Sequence, residues 1–210
     1  MDIFEEELLK IGQSPYFLFD PNDAIQGSGF IDRKYFQFCM NQVQVDGLWM
    51  ECGVYSGASL REIREFAPKT IKTVYGADSF EGLPEAWVKS QNETLPKSFF
   101  YMSGQPPNYL KTKGIELVVG YFEDTIDKFL EEHEEPIAFL HLDADLYSST
   151  KTILDALISK NRLVKGSIIC LDELFGYENY QEGELKAILE SGLNYEYLAH
   201  TNCQACIRIL

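Results

Sequence analysis

Ile137-Ala138-Phe139-Leu140-His141-Leu142-Asp143-Ala144-Asp145-Leu146-Tyr147 decides the fold. A run this short and apolar, entered from Pro136 and leaving on carboxylates, predicts a strand over 137–143 that is buried on both faces. Burial of both faces calls for a parallel sheet covered by helices. A second run over 167–171 also leaves on an acidic pair, Asp172 and Glu173. Chain continuity therefore carries four carboxylates to one edge of the sheet. Like charges beside a low-dielectric core raise one another's pKa and cost stability unless a cation or solvent offsets them. The cluster thus predicts a divalent-metal site, although any one of the four alone reads equally well as a helix cap or a solvated side chain.

Outward from that run, short apolar segments alternate with helical periodicity. Strands are expected over 48–54, 73–78 and 115–120. Leu60, Ile63, Phe66 and Ala67 recur at helical spacing until Pro68 stops them, and a helix with an acidic start is expected over 123–132. The helix after the decisive strand is expected to open on a Ser148-Ser149-Thr150 cap, with Ile153, Leu154, Leu157 and Ile158 on its buried face. A last helix over 182–190 ends at Gly192. The segments 194–200 and 203–210 are separated by a turn too short for a crossover, so they must pair as an antiparallel hairpin. The predicted architecture is α/β: a mostly parallel sheet with helices on both faces, ending in that hairpin. Residues 1–46 are expected to form a helical extension packed beside a domain spanning 47–210. The stretch 82–113, with Pro84, Pro96, Pro106 and Pro107 among aromatics, reads as an insertion that covers a site, or else as a surface loop without a role.

With 210 residues, 45% of them hydrophobic, one core suffices. A net charge of −15 opposes nucleic acid and anionic membranes as partners. The opening Met1-Asp2-Ile3-Phe4-Glu5-Glu6-Glu7 lacks the basic and apolar regions of a secretory signal, and no run approaches the roughly 18 apolar residues of a membrane span, so a cytoplasmic protein is expected. Five cysteines, an odd number, suit reduced and buried thiols. Cys203-Gln204-Ala205-Cys206 has the spacing of a metal or redox pair but lacks a second pair or a nearby βα turn.

Ligands of open α/β sheets bind outside the carboxyl ends of the strands, where Glu51, Gly53, Asp78, Gly120, Asp143, Asp145, Asp172 and Glu173 all fall. Glu51-Cys52-Gly53-Val54-Tyr55-Ser56-Gly57 is glycine-rich without being G-x-G-x-x-G, which favours a ligand without phosphates. Glu51 would suit a cationic ammonium or sulfonium, and Asp78 stands where a carboxylate can accept both hydroxyls of a ribose. Packing glycines and a capping aspartate are the plainer alternatives. His141 is expected to be a buried, hydrogen-bonded histidine, His200 a surface one, and Trp49 and Phe99-Phe100-Tyr101 packing residues; Tyr177 and Tyr180 are open between packing and substrate contact.

Taken together, the glycine turn, Ala77-Asp78-Ser79-Phe80-Glu81-Gly82-Leu83-Pro84, Val119-Gly120-Tyr121-Phe122-Glu123-Asp124-Thr125, Leu142-Asp143-Ala144-Asp145-Leu146-Tyr147 and Leu171-Asp172-Glu173 resemble the macrocin O-methyltransferase family. The resemblance implies a Rossmann-like class I methyltransferase fold. It also implies S-adenosylmethionine and magnesium as cofactors, and a small hydroxylated acceptor, a sugar or glycosylated natural product, as partner. By position, Glu51, Gly53 and Ser59 would line the methionine end of the cofactor, Asp78 and Ser79 the ribose, and Gly120, Tyr121 and Phe122 the adenine. Asp143, beside the cofactor, would hold the metal with Asp172 and Glu173, and Asp145 would be the catalytic base. Glu173 departs from the aspartate that the antibiotic-tailoring members carry there. Enzymes of this type are often homo-oligomers, but no interface pattern is legible. Two rival functions remain: a nucleotide-sugar glycosyltransferase using Asp143-Ala144-Asp145 as its D-x-D, and a cofactor-binding partner protein without catalysis.

Overall fold

Three fully buried strands set the frame of the computed structural model, which describes residues 2–20 and 32–210. They are β2 (Leu48–Cys52), β7 (Ile137–Leu142) and β8 (Ile168–Leu171). The remaining strands are β1 (Tyr16–Phe17), β3 (Val74–Asp78), β4 (Trp87–Val88), β5 (Thr94–Leu95), β6 (Ile115–Val119), β9 (Tyr195–His200) and β10 (Ala205–Ile209). Eight of them form one sheet in the order β1-β9-β10-β8-β7-β2-β3-β6, while β4 and β5 make a separate small hairpin. Within the eight-stranded sheet only β10 runs antiparallel to its neighbours, as expected of a terminal hairpin. β1, too short to be read from sequence, adds a parallel edge strand beside β9.

Helices cover both faces because side chains alternate along every buried strand. Leu48, Met50, Cys52, Leu140 and Leu142 join one cluster with α1 (Ile3–Gly12), α4 (Phe122–Glu132), α5 (Tyr147–Ser159) and α6 (Glu184–Glu190). Trp49, Phe139, Ile168 and Cys170 join the other with α2 (Arg33–Asn41) and α3 (Ala58–Phe66). Asp2 closes a capping box on α1, and Asp32 caps α2. The part of the expected N-terminal extension over 21–31 lies outside the described residues. The helix α5 departs from expectation: Leu146 is its N-cap, no side chain caps it, and the Ser148-Ser149-Thr150 triplet lies inside the first turn. Ser148 Oγ instead donates to Glu85 Oε1 at 2.6 Å, tying the helix to the insertion.

The strand order reverses between β2 and β7, the position at which open α/β sheets leave a crevice. There the strands end flush. Asp143 N–H donates to Cys52 at 2.9 Å, Asp172 N–H to Leu142 at 3.1 Å, Gly53 N–H to Ala77 at 2.9 Å and Gly120 N–H to Asp78 at 3.0 Å, extending the ladder one residue past the strands. Gly53 has φ +93°, and a Cβ there would sit 1.6 Å from the Asp143 carbonyl oxygen. The backbones of the glycine turn and the acidic strand are thus as close as glycine allows. Gly53→Ala should therefore cost about 2–5 kcal/mol of stability, read as a lower denaturant midpoint. Gly12→Ala, whose Cβ would meet nothing within 4 Å, should leave the midpoint unchanged or raise it.

Candidate active site

A cavity of about 600 Å³ opens over this flush edge. One half is floored by the β2–α3 turn. Asp78 holds that turn in place: its Oδ2 accepts the backbone N–H of Val54 at 2.7 Å and of Tyr55 at 2.8 Å, while Oδ1 accepts from Phe80 at 2.7 Å. The capping role weighed for Asp78 is therefore real, and the carboxylate still faces the cavity beside Ser79. Gly53 and Ser59, and on the other side Gly120, Tyr121 and Phe122, complete this half.

The other half is acidic. Asp143, Asp172 and Glu173 each bring an oxygen within 4.8 Å of the others', the one such metal-ligand group among the described residues. Asp145 joins them on the wall. The strand stops at Leu142, and Asp145, in the turn that follows, takes a left-handed φ of 60°, which aspartate tolerates. Burial, then the charge of Asp172, pushes the carboxyls of Asp143 and Glu173 well above the usual range. The same two causes raise Asp145 to about 7, with Lys89 pulling the other way. Glu173 Oε2 is buried without a hydrogen-bond partner. An orphaned oxygen among three hard oxygen donors suits a divalent cation.

Glu51, expected against the cofactor, is fully buried and is not among the residues that line the cavity. Glu51 pairs in register with His141, two residues short of the edge, so its Oε1 meets that imidazole, while its Oε2 is buried without a hydrogen-bond partner. The Oε1···Nδ1 distance is 2.8 Å. Burial pushes the Glu51 carboxyl up, and the His141 hydrogen bond opposes it. His141 itself is the buried, hydrogen-bonded histidine that its apolar strand predicted.

Other residues were not legible. Glu184, the first residue of α6, looked like an ordinary acidic helix start; it is fully buried, accepts the Ala144 N–H at 3.4 Å through Oε1 and leaves Oε2 unpartnered. Burial and the Asp172 charge raise its carboxyl well above the usual range. Gln204 Nε2 donates to Asp172 Oδ1 from inside the C-x-x-C segment, whose thiols are free. From the insertion, Leu83, Trp87, Lys89, Leu95 and Phe100 reach the cavity. Lys89 Nζ lies 4.0 Å from the Trp87 ring centroid and 5.7 Å from that of Tyr177. Asn179 pins the insertion to the segment after β8 through the carbonyls of Lys89 and Val88. Trp49 and Phe139 pack in the core, while His200 bonds Ser14 away from the cavity. No helix of the described residues is long and apolar enough to cross a membrane.

The profile of the macrocin O-methyltransferase family (TylF) matches residues 31–184, nearly the whole span that builds this cavity. The chain belongs to that family. Its fold is the Rossmann-like class I methyltransferase sandwich, shared with the calicheamicin methyltransferase CalS11 at a TM-score of 0.71 and 27% identity over 88% of this chain and 80% of that one. The O-methyltransferase NovP shares the fold at a TM-score of 0.61, with 17% identity over 99% of this chain and 98% of that one. A 4'-O-methyltransferase of Streptomyces olivaceus that acts on 8-demethyl-8-(2,3-dimethoxy-alpha-L-rhamnosyl)-tetracenomycin-C is 28% identical over 155 residues, 65% of this chain. This chain spans 58% of that relative's length.

Carboxyls raised in this way hold protons in the folded protein at pH values where the unfolded chain has released them, so stability falls as pH rises from the ordinary carboxyl range through about 7. In the presence of a chelator the protein should melt higher at about pH 5.5 than at about pH 8, and Asp145→Asn, which cannot ionise, should flatten that slope. Identical slopes for the two proteins would contradict the raised Asp145 carboxyl.

Proposed function

We propose that the protein is an S-adenosylmethionine-dependent, divalent-metal-assisted O-methyltransferase acting on a hydroxyl of a sugar or glycosylated small molecule. The observation that carries this reading is that one cavity joins the Gly53–Asp78–Gly120 half to the acidic half. Two relatives with sugar acceptors support the acceptor class: the rhamnosyl-tetracenomycin 4'-O-methyltransferase, and CalS11, described as a TDP-rhamnose 3'-O-methyltransferase. The family's chemistry favours this reading over sugar transfer from a nucleotide.

Gly53, Ser59, Asp78, Ser79, Gly120, Tyr121 and Phe122 form the cofactor-binding set; Glu51 stands behind it. The cofactor supplies a methyl group already electrophilic on its sulfonium. Asp143, Asp172 and Glu173 would hold the cation, a hard Lewis acid that would favour ionisation of a bound hydroxyl. The chain's own task is to align the acceptor and take its proton. We assign that proton to Asp145, which lines the cavity beside the cluster and is only 9% exposed; burial and the Asp172 charge raise its carboxyl to about 7 in the metal-free chain, and a cation on Asp172 would offset that charge and favour the carboxylate that a base requires. Leu83, Trp87 and Phe100 of the insertion wall the cavity and exclude water around the transfer.

Asp145→Asn should lower turnover by about 10²–10⁴ while S-adenosylhomocysteine affinity, read by calorimetry, stays near that of the unaltered protein. Full turnover in this variant on a glycoside that the unaltered protein methylates would remove Asp145 from the role of base.

A further inference from the structure

Behind the acidic wall, three side chains bridge three neighbouring strands on the face covered by α2. Register puts Glu51 beside His141 and His141 beside Cys170, and Asp172 follows two residues after Cys170, so all three share one sheet face. Glu51 Oε1 lies 2.8 Å from His141 Nδ1. Across the same ring, Nε2 lies 3.7 Å from Asp172 Oδ1, and it is buried with no hydrogen-bond partner. Phe36 of α2 packs edge-on to the imidazole at 4.8 Å between centroids. Both Glu51 and His141 are fully buried.

A buried carboxylate is costly unless it is used or compensated, and Glu51 touches neither the cavity nor solvent. Its hydrogen bond to Nδ1 fixes the orientation of the imidazole. A ring so fixed, and backed by Phe36, can turn Nε2 only toward Asp172. Gln204 approaches the same Asp172 oxygen from the turn between β9 and β10. Both contacts fall on Oδ1, so Oδ2 is the oxygen left to offer a ligand. We propose that His141, held by Glu51, is a positioning residue that orients Asp172 within the Asp143–Asp172–Glu173 cluster and thereby sets the cluster's affinity for a divalent cation. The proposal rests on the metal-assisted reading above. It assigns the buried pair to cation binding and not to the cofactor, and it links the N-terminal helix α2 to the site through Phe36.

Groups that orient a metal ligand from behind typically carry about 10–100-fold of metal affinity. The test is binding of Mn²⁺ to the full chain, followed by electron paramagnetic resonance, with S-adenosylhomocysteine affinity and melting temperature measured on the same samples. His141→Gln places an amide where Nε2 stands and keeps a donor toward Asp172. His141→Asn places its amide where Nδ1 stands and keeps only the partner of Glu51. His141→Asn should weaken Mn²⁺ binding about 10–100-fold and His141→Gln should restore most of it, with S-adenosylhomocysteine affinity unmoved in both. Equal losses in the two variants, or no loss in His141→Asn, would overturn the proposal. Should the histidine variants fail to fold, Glu51→Met, which removes the hydrogen-bond partner of Nδ1 at similar volume, decides: weaker Mn²⁺ binding with the fold retained supports the relay, and unchanged Mn²⁺ binding overturns it. If the unaltered protein binds S-adenosylhomocysteine but not Mn²⁺, the metal-assisted reading falls and takes the relay with it. A loss confined to the variants leaves that reading standing.

Discussion

Asp143 gives its backbone N–H to Cys52, and Asp172 gives its own to Leu142. These bonds carry β2, β7 and β8 one residue beyond their last paired positions and hold the glycine turn against the acidic strand. Because Gly53 sits where a side chain would strike the Asp143 carbonyl, no looser register preserves this packing. The whole cavity depends on that alignment. It sets the glycine turn and the carboxylates at the same height, one strand apart, at the point where the strand order reverses.

The arrangement works against stability. Asp143, Asp145, Glu173 and Glu184 are all raised by burial and then by the charge of Asp172, so the folded chain concentrates repulsion that a solvated surface would dissipate. Proteins keep such crowding where it is used. Cationic and polar partners reach the cluster from separate elements: Lys89 from the insertion, Gln204 from the terminal hairpin and His141 from the sheet interior. The insertion, held by Asn179 and by Ser148, belongs to the site as much as the strands do.

The apolar strands, the terminal hairpin and the edge at which acids gather were legible because burial on both faces leaves an unmistakable text. Depth was not. The sequence put Glu51 at the carboxyl end of its strand but did not show that it stops two residues short of the rim, where its neighbour is His141. Glu184 was hidden for the opposite reason: an acidic residue in a helix's first turn is ordinary, and only the packing of α6 against Ala144 buries it. β1 has two residues, too few for any period to show. The serine cap on α5 failed because the N-cap falls two residues early, at Leu146, just after the turn that brings Asp145 to the cavity wall.

The central claim is that cofactor and cation share one cavity across the flush strand ends. Nuclear relaxation tests it directly, with S-adenosylmethionine carrying a ¹³C-labelled methyl group bound to the protein and Mn²⁺ added. Strong broadening of the methyl resonance that excess Mg²⁺ reverses is the predicted result. A sharp resonance from cofactor shown to be bound, with Mn²⁺ also bound, would place the two apart and contradict the account.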